Sequence, residues 1–563
     1  MSWTVMPTFD SYERARETFS WDLPDEFNPA VDFLRKHEET DRTALRYEGP
    51  GGLETYSFDD LDERSDRLAA ALRDLGVDPG DRVGVVVPQK PQNPLAHLAN
   101  WKIGAVSVPL TVLFGRDALE YRLADSEATA VIVDPDVREP IDEIRGECPA
   151  LEHVIELGDA DAVAGVGTAE GGATTHAFDD LLGAFEPGLE GYDATPETPS
   201  AIMYTSGSTG PPKGVRHSHA LWLGRAAAAF NYFDQGLEEG EATLWTPADW
   251  AWGAALGGTL FAAWHHGCTV VGWPRDGFDP EAAYELLERH AVTKTFMPPT
   301  ALRLLMAADD PEGRYDLTLE TIASAGEPLT SEVVEWVEET FADVSINDFY
   351  GQTELNLVVG NSEDWFETRP GSMGKPFPGY EVRVLDPESD EALPVGEVGE
   401  LAVKPGDRRV FFDGYWRLPE KTAAKQTEDG WFRTGDLVER DEDGYLWFVS
   451  RTDDVILTSG YRVGPMEVEE AILHHPLAEQ AGVVGVPDET HGEAIKAYVQ
   501  PATDDVEPED LRTEIRELVR ERLAEYEYPR ELEFVDELPT TTTGKIKRRA
   551  LREANTTERH RGH

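Results

Sequence analysis

Short apolar runs alternate with amphipathic runs through the first two thirds of this chain. That alternation restricts the fold more than any other feature. "DRVGVVVPQ" (81–89) is apolar at successive positions and reads as a strand covered on both faces. "NPLAHLANWKIGAVSVPL" (93–110) reads as a helix leading into another strand, and "TAVIVD" (129–134) as a third strand. "SFDDLDERSDRLAAALRDLGV" (57–77) has helical spacing and ends near Gly76. The same rhythm returns in "HHGCTVVGW", "TKTFMPPTALRLL" and "LTLETIASAGE". It predicts α/β layers with parallel strand pairing. The Gly-, Ala- and Thr-rich segment 158–177 predicts an exposed excursion.

The texture changes twice toward the C-terminus. From about Glu381, "EVRVLDPESDEALPVGEVGELAVK" has short strands separated by turn residues, which predicts a small β unit. Beyond Arg451 a helix ("PMEVEEAILHHP"), two strands ("EQAGVVGVPD", "EAIKAYVQP") and an amphipathic helix ("PEDLRTEIRELVRERLA") predict a compact α+β domain. The expected organisation is a large α/β N-terminal domain, 1–452, of layered subdomains plus the β unit, and a smaller α+β domain, 453–563.

Charge narrows the partners. The chain has 563 residues, with 109 acidic against 50 basic side chains, a net charge of −59. The acids are scattered, as in "DDLDERSDRL" and "EVVEWVEET". Such a surface repels nucleic acid and anionic membranes, which bind through clustered Lys and Arg. It fits a hydrated acidic shell that stays soluble in concentrated salt, as in a halophilic organism. Two cysteines, Cys148 and Cys268, give no disulfide scaffold or cysteine zinc site. The N-terminal segment has no basic region followed by an apolar run, and "GAALGGTLFAAW" is too short to span a bilayer. The expectation is a cytoplasmic protein.

The chemistry is concentrated in "YTSGSTGPPKGVRHSH" (204–219). Gly207, Gly210 and Gly214 let the backbone turn and approach a ligand closely. Thr205, Ser206, Ser208 and Thr209 add hydroxyl donors, and Lys213 adds a point charge. These groups suit phosphate oxygens, although a flexible surface turn has the same composition. The common phosphate loop G-x-x-x-x-G-K-[ST] does not fit, because five residues after Gly207 comes Pro212 and Gly214 follows Lys213. A serine-hydrolase elbow is absent as well.

Further blocks decide between those readings. "DFYGQTE" spans Asp348–Glu354, "WFRTGDLVERDEDGYLWFVSRTDDVILTSGYRVGPMEVE" spans Trp431–Glu469, and "LPTTTTGKIKRRALR" spans Leu538–Arg552. With the glycine-rich loop, and in this order, they resemble the adenylate-forming superfamily, which includes acyl-CoA synthetases, aryl-CoA ligases, luciferases and adenylation domains. The resemblance covers nearly the whole chain beyond its first few dozen residues.

The resemblance implies a mobile C-terminal domain and a two-step reaction. A carboxylic acid attacks the α-phosphorus of ATP and releases pyrophosphate. The thiol of coenzyme A then displaces AMP. It implies that Thr205, Ser206, Gly207, Ser208, Thr209, Gly210 and Lys213 hold the β- and γ-phosphates. Gly326, Glu327 and Pro328 of "SAGEPL" would line the adenine, with Asp348, Phe349, Tyr350, Gly351 and Gln352 on the same nucleotide. Thr353 would meet the α-phosphate, and Glu354 would ligate Mg²⁺, a hard cation that takes oxygen ligands. Asp436 would accept both ribose hydroxyls, with Arg451 and Arg462 near ribose or phosphate. Asp453 would be the hinge, and Lys545 the catalytic lysine of the adenylation step. Ser459, Gly460 and Tyr461 would flank the pantetheine tunnel, and Tyr528, Pro529 and Arg530 the CoA nucleotide. Arg548, Arg549 and Arg552 are expected to be solvated or to contact the main body.

Several blocks look most like medium-chain acyl-CoA synthetases. Acetate-specific relatives carry a pocket-closing tryptophan where this chain has Gly351, so the missing wall predicts room for several carbons or an aromatic ring. Trp252 and Gly253 of "PADWAWGAALGG" would face the acyl group with Gly351 and Gln352, plain core packing being the alternative for Trp252. Leu355 and Asn356 depart from the small residues common there. The remaining alternatives are an aryl-CoA ligase, an enzyme loading a carrier protein, and a non-catalytic ATP-binding protein. The expected partners are a small carboxylic acid, ATP and CoA, with no nucleic acid, no membrane span and a possible homo-oligomer.

Overall fold

The computed structural model describes residues 3–37, 41–163, 166–168, 172–205, 211–237, 240–275, 277–308, 311–327, 329–341, 343–452, 454–458, 461–488, 492–503, 508–523, 527–541 and 545–561. The chain divides into two compact units. Unit 1 comprises 1–381 with 404–426, and unit 2 comprises 382–403 with 427–563.

Unit 1 is layered α/β. One sheet runs through Thr269–Gly272, Thr243–Trp245, Lys294–Phe296, Thr321–Ala325 and Ser345–Gln352, each parallel to its neighbour. Asn356–Gly360 then turns back antiparallel to Ser345–Gln352. A second, nine-stranded sheet has Arg82–Val86 near its middle, parallel to both Val106–Pro109 and Ala128–Val133. These strands are the apolar runs of the sequence, and the Arg82–Val86 strand is buried from its second residue onward. The region expected to be an exposed excursion is partly sheet: Thr174–Ala177 pairs in parallel with His153–Glu156 and alternates half-buried with buried residues. Its alternating Thr, Thr, His and Ala fit a half-covered strand.

The helix Phe58–Asp74 opens on a capping box, with the Ser57 hydroxyl accepting from Asp60 N–H and the Asp60 carboxylate accepting from Ser57 N–H. The helix Ala220–Tyr232 is buried along its whole length and is apolar on most of its surface, with Arg225 and Asn231 the polar exceptions. Against it packs Ala254–Phe261, wound as a π-helix, a form found in short pieces and often at functional sites. Trp101, Trp222 and Phe261 meet there with ring centroids 4.8–5.3 Å apart.

Unit 2 contains an antiparallel run formed chiefly by Gly399–Pro405, Phe432–Arg440 and Leu446–Arg451. It also contains a five-stranded sheet built on the long hairpin of Ala478–Asp488 and Gly492–Pro501. One face of that sheet packs Val483, Ile495, Ala497 and Val499 against Val468, Ile472, Leu511 and Ile515 of two helices. The other face packs Val484, Val486 and Tyr498 against Leu538 and Leu551. Sidedness alternates along the strands, as a sheet covered on both faces requires.

Candidate active site

The glycine-rich segment joins two antiparallel strands, Pro199–Thr205 and Lys213–Ser218, with Thr205 opposite Lys213. Ser206, Gly207, Ser208, Thr209 and Gly210 lie outside the described residues. Lys213 therefore stands at the mouth of the hairpin. Its Nζ lies 4.7 Å from the centroid of the Tyr415 ring. Tyr415 is positioned by the short strand Gly414–Tyr415, which pairs with Val215 and Arg216. Its hydroxyl donates to Glu354 Oε1 at 2.7 Å. The phosphate-loop lysine and the expected magnesium ligand, 141 positions apart by number, thus meet through one tyrosine absent from the sequence-based expectations.

Asp348–Gln352 do not follow a strand; they form the end of Ser345–Gln352, and Thr353 and Glu354 occupy the turn beyond it. The Thr321–Ala325 strand runs alongside, with Ser324 opposite Asp348 and Ala325 opposite Phe349. Gly326 and Glu327 therefore leave their strand next to "DFYGQTE". Ligands of parallel α/β sheets bind beyond these carboxyl ends. Gly326 has φ +100° with open space where a Cβ would stand. Glu327 accepts from Arg303 at 3.2 Å, and Pro328 lies outside the described residues. Asp348 is buried with Oδ1 unpartnered, and burial pushes its carboxyl well above the ordinary range. Gln352 donates to Tyr350 Oη at 3.1 Å.

Two expectations need correction. The Phe349 side chain is 2% exposed and stacks on Tyr232 at 4.2 Å, so its ring belongs to the core and is not available to a nucleotide. The space beside Gly351 is not an open pocket. A Cβ there would collide with the Asn356 carbonyl oxygen and lie 2.9 Å from Leu357 Cα, because the hairpin partner passes directly over it. Asn356 itself has φ +73°, a conformation asparagine tolerates better than most residues. Its amide donates to the carbonyls of Leu221 and Val410. Trp252 is half-buried and precedes the π-helix, unlike Trp250, which is sealed in the core. Gly253 faces the Arg225 guanidinium.

In unit 2, Asp436 lies opposite Arg451 on neighbouring strands, and Arg451 Nη1 donates to Asp436 Oδ1 at 2.7 Å. The Asp436 side chain is buried, and its N–H donates to Thr434 Oγ1. Tyr461 and Arg462 belong to the strand Tyr461–Val463; Asp453, Ser459 and Gly460 lie outside the described residues. Lys545 is exposed, and its carbonyl accepts from Thr541 N–H at 2.7 Å.

Arg530 is exposed and lines a depression of about 490 Å³ with Lys496, Arg512, Arg516 and the acids Glu509, Glu531 and Glu533, while Pro529 is buried. Tyr528 lies under Arg520, 4.0 Å from ring centroid to guanidinium carbon. Arg512, Arg516 and Arg520 sit on the amphipathic helix Pro508–Arg522, whose basic residues were read from sequence only as its polar face. Arg548 and Arg552 are not solvated: both pair with Asp454, and Arg548 also pairs with buried Glu469. A buried carboxylate needs a cation. Arg549 is exposed and pairs with Glu553.

No group of three or more His, Cys, Asp or Glu among the described residues could hold a metal by itself. Glu354 is a single hard-oxygen donor beside a phosphate-loop lysine, which fits Mg²⁺ shared with phosphate oxygens. No helix of the described residues is long and apolar enough to cross a membrane.

A glycine-rich hairpin whose lysine shares Tyr415 with Glu354, and the segments expected to bind nucleotide at the carboxyl ends of parallel strands, fit an adenylate-forming ligase. The chain belongs to the AMP-binding enzyme family, which it matches over residues 34–416, and residues 467–545 match the AMP-binding enzyme C-terminal domain. It is 37% identical to the acetyl-coenzyme A synthetase of Bacillus subtilis, over 96% of this chain and 94% of that one. It is 34% identical to the mitochondrial acyl-coenzyme A synthetase ACSM3 of Rattus norvegicus, over 98% and 94%. The anthranilate CoA ligase AuaEII, solved with anthranoyl-AMP, superposes with TM-score 0.84 at 30% identity over 96% of this chain and 99% of that one. A benzoate CoA ligase from Burkholderia xenovorans superposes with TM-score 0.79 at 29% identity over 93% and 100%.

Proposed function

We propose that this enzyme, an AMP-forming acid:CoA ligase, acts on a medium-chain or small aromatic carboxylic acid. The carboxylate oxygen bonds to the α-phosphorus of ATP as the α–β phosphoanhydride breaks, giving acyl-AMP and pyrophosphate. The CoA thiol then loses its proton and its sulfur bonds to the acyl carbon, and AMP leaves with the electron pair of the mixed anhydride. Lys213 with Thr205, Ser206, Gly207, Ser208, Thr209 and Gly210 takes the outgoing phosphates. Thr353 meets the α-phosphate, Glu354 holds Mg²⁺, and Asp436 takes the ribose hydroxyls. Bound Mg²⁺ supplies charge neutralisation to the phosphate oxygens. Lys545 neutralises the anionic repulsion of the first step.

The observation that carries this reading is the Lys213–Tyr415–Glu354 constellation at the mouth of the glycine-rich hairpin. The working domains are 1–452 and 453–563, with Asp453 as hinge. Ser459, Gly460 and Tyr461 flank the pantetheine, and Tyr528, Pro529 and Arg530 meet the CoA nucleotide. The protein is cytoplasmic and halophilic, its −59 charge holding a hydration shell in concentrated salt. It has no nucleic-acid partner.

The test is exchange of labelled pyrophosphate into ATP, in molar KCl with Mg²⁺, across acetate, butyrate, octanoate and benzoate. Acid-dependent exchange is expected, and its absence with every acid overturns the reading. Acetate exceeding all the others overturns the acyl class alone. Lys545→Ala should lose acid-dependent exchange by 10²–10³-fold or more while sparing thiolysis of a supplied acyl-AMP.

A further inference from the structure

Arg225 lies midway along the core helix Ala220–Tyr232 and is 3% exposed. Six Lys and Arg residues are buried among the described residues: Lys102, Arg122, Arg145, Arg225, Lys294 and Lys496. Lys102 has Asp62 and Asp66, each at 2.6 Å. Arg145 has Asp142, Lys294 has Glu320, and Lys496 has Glu533. Arg122 donates to the Ala118 carbonyl and covers the Phe114 ring. Arg225 makes neither a hydrogen bond nor an ion pair among the described residues, and its Nε is sealed without a partner. Burying an uncompensated cation costs several kcal/mol, so proteins that keep one have a use for it.

The surroundings show where the cation is aimed. Gly253 and Gly257, on the first turns of the π-helix region, leave room for the side chain. A Cβ at Gly253 would lie 2.8 Å from Nη2, 3.1 Å from Cζ and 3.2 Å from Nη1, so the guanidinium lies flat against this glycine. Gly253 follows Trp252 on the wall that would face the acyl group. Tyr232 donates to the Gly258 carbonyl, but two other polar groups nearby are short of partners. His217, which faces the Thr353 backbone, has neither ring nitrogen in a well-formed hydrogen bond, and Tyr380 Oη is unpartnered. Burial, reinforced by the Arg225 charge, holds His217 at about 3, so the imidazole is neutral at physiological pH. Burial brings Arg225 down only to about 10, so it remains a cation. The cluster thus presents one uncompensated positive charge with neutral hydrogen-bonding groups beside it.

An apolar acyl terminus would leave that cation as unpaired as before. A carboxylate matches a guanidinium fork in charge and geometry. We propose that Arg225 is a specificity-determining residue of the acyl pocket, and that the favoured acid carries a second carboxylate at the end away from the one activated. This inference rests on the ligase reading and narrows its substrate class.

The experiment measures kcat/KM for acid-dependent AMP formation with CoA, comparing acids of equal carbon number: succinate with butyrate, glutarate with valerate, adipate with hexanoate. Octanoate and benzoate complete the panel, and wild type is set beside Arg225→Met and Arg225→Lys. The best dicarboxylate should exceed its monocarboxylate partner about tenfold in wild type. Arg225→Lys should keep the direction of that preference, and Arg225→Met should reverse it. A wild-type ratio at or below one for every pair, or a ratio that Arg225→Met leaves within twofold, overturns the proposal. So does a preference for benzoate that Arg225→Met abolishes, which would assign the guanidinium to an aromatic face. Should Arg225→Met fail to fold, the wild-type and Arg225→Lys ratios still decide. If no acid in the panel supports pyrophosphate exchange, the ligase reading itself falls; exchange with monocarboxylates alone removes only the second carboxylate.

Discussion

Two arginines in different units, Arg225 buried and Arg548 half-buried, have opposite surroundings. Arg548, at the start of the C-terminal helix Arg548–Arg561 in unit 2, meets Glu469 and Asp454, and Arg552 one turn on meets Asp454 at 2.8 Å. Arg225 in unit 1 meets no carboxylate among the described residues. The first arrangement is a structural clamp, in which every charge is answered by the protein. The second has its charge unanswered among the described residues. Burial alone therefore does not distinguish a structural cation from a recognising one; the partner list does.

Substitutions can break that contrast, and the largest effect is expected at the clamp. Arg548→Met strands Glu469, whose carboxyl burial already pushes to about 7 against the pull of Arg548. Unit 2 should lose about 3 kcal/mol, read as an earlier urea transition followed by a probe in that unit. Arg225→Met should do the reverse. Replacing an unpaired buried charge by an apolar chain of similar volume is expected to leave stability unchanged or raise it by about 1–2 kcal/mol, seen as an equal or higher Tm. A large destabilisation would make Arg225 a structural residue. The smallest effect is expected at Tyr415→Phe, which removes the hydrogen bond to Glu354 but keeps the ring under Lys213. Its KM for ATP should rise about tenfold, equivalent to about 1.4 kcal/mol, with the fold intact by circular dichroism.

Much of the fold was legible because its signals are local. The Val-rich run 82–86 declares a covered strand, and "PEDLRTEIRELVRER" declares an amphipathic helix, through the order of a few neighbouring residues. The glycine-rich hairpin and Glu354 were legible as motifs. Phe349 was misread because position within a motif does not say which way a strand residue points; the pleat turned its ring into the core against Tyr232. Gly351 was misread because a missing side chain was equated with a missing wall, whereas the neighbouring strand supplies that wall from its backbone. Arg548 and Arg552 were expected to be solvated or to contact the main body, because a basic run carries no mark of the carboxylates it will meet.

By itself the sequence determined most element types, their order, the acidic net charge and the enzyme family. Each of these depends on spacing along the chain or on composition. Only the tertiary structure decided that Tyr415 would join Lys213 to Glu354 and that Arg225 would lie against Gly253 without a counter-ion among the described residues. Those are contacts between residues distant in the chain, and packing of strands and helices sets which side chains share a space.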